Sequence, residues 1–259
     1  AMPVIPVLFR RLNLWCVHSR FPLKVTAPVL RSVRFWALNP KLAPVRSSLL
    51  MCMQYAPVSH EALFDEHRSF GAMHTGSDRP AYSAHHDFSP KRRLKLGVVS
   101  GDFRFHAMLF FALPVFEARD RAQWHLTCYA TTAKPDVHTA SFRATADSWR
   151  DVRALSAAQL ADLIARDEID ILIDLHGLSS GARPGIFALH PAPRQGTYLG
   201  FIGPSGMPWF DFVLADPQVL PEELASHFNE KPVYLNTSFI PLVAHAAHPQ
   251  TPARMDFGI

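Results

Sequence analysis

The sequence predicts an α/β protein, a doubly wound, Rossmann-like parallel sheet behind a short helical N-terminal lead-in. Three observations carry this. From residue 94 onward, segments that read as strands alternate with segments that read as helices. The strand segments are continuous apolar runs, such as IDILIDL (169–175), which is how a strand reads when helices cover both faces of its sheet. Several of these runs end abruptly in knots of Gly, Ser, Asp, Arg and His.

The elements follow in order. Leu49, Leu50 and Met53 give one short apolar face, and after Pro57 a helix is predicted with Ser59 as its cap. Leu63, Phe64, His67 and Phe70 are spaced for one side of it. Residues 71–92 are polar and read as a linker, in which His85 and His86 are expected to be solvated loop residues rather than metal ligands. LKLGVVS (94–100) is the first strand, followed by a helix over 107–118 that contains Pro114, an expected kink. WHLTCYAT (124–131) is the second strand, DVHTASFRATAD (136–147) a helix and WRDV (149–152) a short third strand. SAAQLADLIARDE (156–168) is an amphipathic helix with Ser156 as cap and Leu160, Leu163 and Ile164 inward. The apolar run 169–175 is the fourth strand and GIFALH (185–190) a short helix. QGTYLG (195–200), DFVLADP (211–217) and KPVYL (231–235) complete the strands.

Composition narrows the class. Hydrophobic residues make up 48% of the 259 and charged residues 19%, the balance of a globular chain. The net charge of +4 is an N-terminal property: residues 1–60 hold eight Lys or Arg and no Asp or Glu, which leaves 18 basic and 22 acidic groups in the rest. That segment shows no regular basic–aromatic interleaving, so nucleic acid is not an expected partner. No run reaches the about 20 apolar residues of a membrane helix, so no membrane partner is expected either. Cys16, Cys52 and Cys128 form no CxxC pair and are odd in number, which points to free thiols in a reducing, cytoplasmic setting. The division expected is a basic N-terminal segment (1–47), a helical lead-in and linker (48–92) and a Rossmann-like lobe (93–259).

In doubly wound sheets ligands sit outside the carboxyl ends of the strands. Three knots fall there: SGDFRFH (100–106), DLHGLSSGAR (174–183) and YLGFIGPSG (198–206). His106 opens a helix, where exposed amides and the helix dipole favour an anion and a neutral imidazole that can accept a proton. A histidine that merely caps the helix and packs fits the same position. Gly196, Gly200, Gly203 and Gly206 let backbone amides approach a ligand, or make a tight loop. There is no GxGxxG, so a dinucleotide site is disfavoured. Asp174 reads as a turn cap, His176 as a weak site candidate, HAAH (245–248) as loop, and Trp209 and Phe210 as packing residues.

GVVSGDFRFH, then IDILIDLHGLSSGARPGIFALHPAPRQGTYLGFIGPSG, then DFVLADPQVLPEELASHFNEK resemble the protein O-GlcNAc transferase family, glycosyltransferase family 41, including its SPINDLY-like group. The resemblance covers residues 48–259. It implies one half of a two-lobed glycosyltransferase-B fold. It implies transfer of GlcNAc from UDP-GlcNAc to Ser or Thr of acceptor proteins, with inversion and with no metal or other cofactor. His106 matches a histidine proposed in the family as general base. Asp102, Leu199, Gly200, Ile202, Gly203, Ser205 and Gly206 fall on the matching substrate-side motifs, with Leu199 and Gly200 at the sugar pocket. The expected partners are acceptor proteins, upstream tetratricopeptide repeats and a second catalytic lobe that carries most uridine and diphosphate contacts. The sequence opens at Ala1 and ends at RMDFGI, which resembles the join to that lobe, so a fragment or a truncated gene is expected, inactive alone. Phe105, His190, Ile202, Pro204 and Asn229 depart from the family pattern and leave donor choice open. The alternative is a non-catalytic remnant or protein-binding module.

Overall fold

The computed structural model describes residues 43–54, 58–74, 82, 86–89, 91–179, 181–201 and 203–242. Ile202, His85, the HAAH stretch and the basic segment up to residue 42 lie outside them. Among the described residues two helices come first, α1 (Ala43–Met53) and α2 (His60–Gly71). α1 begins ahead of the predicted apolar stretch at 48, and Pro44 falls in its first turn, where a missing N–H is tolerated. Ser59 caps α2 by accepting from the Ala62 amide, as its sequence predicts.

Four strands then alternate with helices: β1 (Leu94–Ser100), α3 (Ala107–Ala118), β2 (Trp124–Ala130), α4 (Val137–Thr145), β3 (Ser148–Asp151), α5 (Ala157–Arg166) and β4 (Ile171–Asp174). The second part runs α6 (Pro184–Phe187), β5 (Arg194–Thr197), β6 (Phe212–Ala215), α7 (Glu222–Ala225) and β7 (Lys231–Tyr234). Every pairing is parallel and the strand order is β3-β2-β1-β4-β5-β6-β7, the doubly wound arrangement expected. The order reverses between β1 and β4, where Val99 lies opposite Asp174.

Apolar residues of adjacent strand positions feed opposite faces. Val99, Tyr129 and Leu172 pack with α5, α6 and the lead-in helices, whose Leu49, Leu50, Met53 and Phe70 are buried in the same cluster. Val98, Cys128 and Ile173 pack with α3 and α4 through Met108, Phe116 and Phe142 on the other face. This alternation explains why the central strands read as unbroken apolar runs. Trp209 and Phe210 are buried, as expected. Cys52 and Cys128 are both free, and burial pushes both thiols up. Among the described residues no helix is long and apolar enough to cross a membrane.

One expectation is corrected. His86 is not solvated: it is 7% exposed and bonds Asp170 through Nε2 at 2.6 Å. Asp170 also accepts from the Lys95 amide at 2.7 Å and from Arg92, so a buried carboxylate at the amino end of β4 gathers the linker onto the sheet. A single buried charge needs several donors, and the linker supplies two of them.

Candidate active site

All three sequence knots lie at carboxyl strand ends, and the second, after β4, meets both the first and the third. The first is built on β1. Ser100 Oγ accepts from the Asp102 amide at 3.0 Å and turns the chain out of the sheet. The Phe105 amide donates to Asp136 Oδ2 at 2.7 Å, which ties this loop to the N-terminus of α4. His106 is then the N-cap of α3, accepting from the Met108 amide at Nδ1 (3.4 Å). Its side chain stays 41% exposed, so capping and availability coexist. Asp102 Oδ2 faces that Nδ1 at 3.7 Å, and Asp102 Oδ1 faces Arg104 at 3.3 Å.

The second knot follows β4. Asp174 accepts from the amides of His176 (3.0 Å) and Gly177 (2.9 Å), the turn-capping role expected of it. Burial pushes its carboxyl up, against the pull of those amides. The turn presents His176, 2% exposed, to the first knot: the Gly101 amide donates to its Nε2 at 2.5 Å. A Cβ at Gly101 would stand 3.0 Å from that same nitrogen, so glycine lets the ring press on the backbone. Sequence reasoning ranked His176 low because its partner is 75 residues away, and no local pattern reports such a partner.

The third knot follows β5. Leu199 takes φ 61°, a left-handed conformation unusual for a branched side chain. Gly200 next to it lies so close to the second knot that a Cβ would sit 1.9 Å from the Leu175 carbonyl oxygen. Gly200 therefore touches the second knot. Gly203, Ser205 and Gly206 face the lead-in instead. Gly206 has φ 70° and lies against the backbone of His67, and Gly203 lies beside Gln54. The Ser205 amide donates to Glu230 Oε1 at 2.8 Å. Burial pushes the Glu230 carboxyl up and drives His67 down to about 3. His67, Gln54 and Glu230 thus support the glycine loop from three separate segments, and sequence spacing gave no sign of it. Among the described residues no group of three or more His, Cys, Asp or Glu side chains is arranged to hold a metal ion.

A parallel doubly wound sheet of this order, with polar loops at the reversal point, is the architecture expected of one half of a glycosyltransferase-B fold. Residues 62–248 match the family model for glycosyl transferase family 41. The chain belongs to that family. The probable UDP-N-acetylglucosamine–peptide N-acetylglucosaminyltransferase SEC of Arabidopsis thaliana is 37% identical over 145 residues, covering 56% of this chain and 15% of that protein. Its counterpart SPINDLY of Petunia hybrida is 27% identical over 208 residues, covering 78% of this chain and 22% of that protein. A solved mutant of the Thermobaculum terrenum O-GlcNAc transferase superposes with a TM-score of 0.79 at 30% identity, covering 92% of this chain and 45% of that one. The chain therefore spans under a quarter of those two plant relatives and under half of the solved structure.

Proposed function

We propose that this chain is the acceptor-side half of a catalytic region that moves GlcNAc from UDP-GlcNAc to Ser or Thr hydroxyls of acceptor proteins. What supports the reading is His106: a half-exposed imidazole at a helix N-terminus after β1, beside Asp102. The names of the related proteins supply donor and acceptor. In the reaction the acceptor oxygen bonds to the anomeric carbon of the sugar. The bond from that carbon to the diphosphate oxygen breaks, and the diphosphate leaves with the electron pair. The hydroxyl proton passes to a base, the role given to His106. Asp102, Leu199 and Gly200 shape the sugar and acceptor side, and Gly203, Ser205 and Gly206, packed against other segments, hold the rest of that loop. Most uridine and diphosphate contacts come from a second lobe, tetratricopeptide repeats present the acceptor, no cofactor takes part and the setting is cytoplasmic.

A second reading, a protein-binding module without transfer, draws on Pro204 and Phe105, which stand where the family pattern has other residues. Transfer of labelled GlcNAc by this lobe joined to a complete second lobe separates the two. Transfer excludes the binding module. Replacing His106 by Ala is then expected to lower the rate by about 10²–10⁴, the range of general acid–base catalysis. A loss below about tenfold would remove His106 as the base.

A further inference from the structure

Asp102 lies between two histidines delivered by different strands. Its Oδ2 is 3.7 Å from Nδ1 of His106 and 3.7 Å from Nδ1 of His176, while Oδ1 faces Arg104. Among the described residues these three are the charged or titratable groups paired with the carboxylate. Asp136 bonds the neighbouring Phe105 amide, and the His138 ring lies beyond the Phe105 ring at 5.3 Å.

The neighbours of His176 decide its protonation. Its Nε2 accepts from the Gly101 amide, and a nitrogen that accepts carries no proton. His176 is therefore neutral with its proton on Nδ1, where it donates to Ser179 Oγ at 2.9 Å and faces Asp102. At His106 the same nitrogen is contested. The Met108 amide, at 3.4 Å, calls for a lone pair on Nδ1 and so leaves the ring proton on Nε2. Asp102 calls for a proton on Nδ1 and so leaves Nε2 free as a base. A 3.4 Å amide contact is at the weak end of hydrogen bonding, whereas a bond to a carboxylate is about twice as strong as a neutral one. For Asp102 to hold that proton the 3.7 Å gap has to close by side-chain rotation, in the way catalytic hydrogen bonds tighten when substrate arrives.

We propose that Asp102 is a positioning residue that selects the Nδ1–H tautomer of His106, and that the buried His176 ring limits where Asp102 can turn. The proposal rests on His106 acting as the base. It assigns His176 a task that no motif assigned, and it makes Gly101 part of the same device.

The test is long-range hydrogen–nitrogen spectroscopy of the histidine-labelled chain, at a pH where both rings are neutral. The expected result is a proton on Nδ1 of both His106 and His176. In Asp102→Asn, Arg104 keeps the amide oxygen and the NH2 turns to the histidines. The His106 proton is then expected to move to Nε2, while His176 keeps Nδ1–H. A His106 proton on Nε2 in the parent, or on Nδ1 in the variant, overturns the proposal. In His176→Phe both His106 tautomers are expected, and an unchanged His106 signal removes His176 from the proposal. If Asp102→Asn does not fold, the parent spectrum alone decides, since an Nε2–H His106 there is fatal. In a transferring assembly, Asp102→Asn should lower kcat with little change in acceptor KM. Intact transfer by the His106→Ala variant would defeat the reading of His106 as base, whereas the spectra judge the tautomer independently.

Discussion

His67 shows how one side chain couples the lead-in to the candidate site. It is fully buried, its Nε2 is 3.1 Å from Gln54, and its ring lies 5.7 Å from that of Phe201 in the glycine loop. Burial holds it at about 3, while an unfolded histidine titrates near 6.5. The unfolded chain therefore binds more protons than the folded one between these values. Stability from this residue is intact above pH 6.5 and declines as pH falls toward 3, by about 1.4 kcal/mol per pH unit. Glu230 works in the opposite sense, because its raised carboxyl favours the folded state once protonated. The useful measurement is thus a difference: urea midpoints of the parent and of His67→Phe across this window. The variant is expected to lose stability less steeply on acidification, and equal slopes would place the acid sensitivity elsewhere. The sequence showed His67 on the inward side of a helix; its neutrality follows only from what covers it.

At the scale of elements, legibility tracked local chemistry. α5 is the clearest case. Ser156 and Gln159 form a reciprocal capping box, and Leu160 and Ile164 are buried at helical spacing. Cap and period both lie within one helix, so sequence reveals them. Ser156→Ala should cost about 1 kcal/mol, read as a shift in denaturant midpoint with no change in slope. β5 is the opposite case. Its predicted strand ran to residue 200, but the observed one ends at Thr197. The Tyr198–Leu199 stretch looks like a strand, and only the contact of Gly200 with Leu175 and the positive φ at Leu199 turn the chain away. α1 was legible only in its apolar half. Arg46 in its earlier half pairs with Glu66 of α2 at 2.5 Å, a partner that periodicity does not report.

At the scale of the whole molecule, the consequential feature is a sheet that the described residues only half cover. α3 packs over β1 and β2, but further along the same face Leu96, Ile171, Ile173, Phe212, Leu214 and Val233 line an open groove of about 700 Å³. A parallel sheet ordinarily has both faces covered, and apolar patches of this size favour association. The chain is expected to self-associate weakly, with a sedimentation coefficient that rises with concentration. Val233→Glu, at a position 44% exposed on the groove, should suppress the rise. A parent that sediments as a clean monomer at high concentration would count against this.

The sequence by itself determined the layered architecture, the strand count and the location of polar loops at the carboxyl edge. These depend on apolar period, caps and turn residues, all of which act within a few positions of one another. It also carried the family, because GVVSGDFRFH and the run from Ile169 to Gly206 are long ordered words. Tertiary structure alone decided which groups meet: Asp102 with His176, Gly200 with Leu175, Ser205 with Glu230, and Asp170 with His86. Each pair joins residues 25 to 84 positions apart. Burial and protonation are properties of such meetings, fixed by packing between elements and invisible to spacing along the chain.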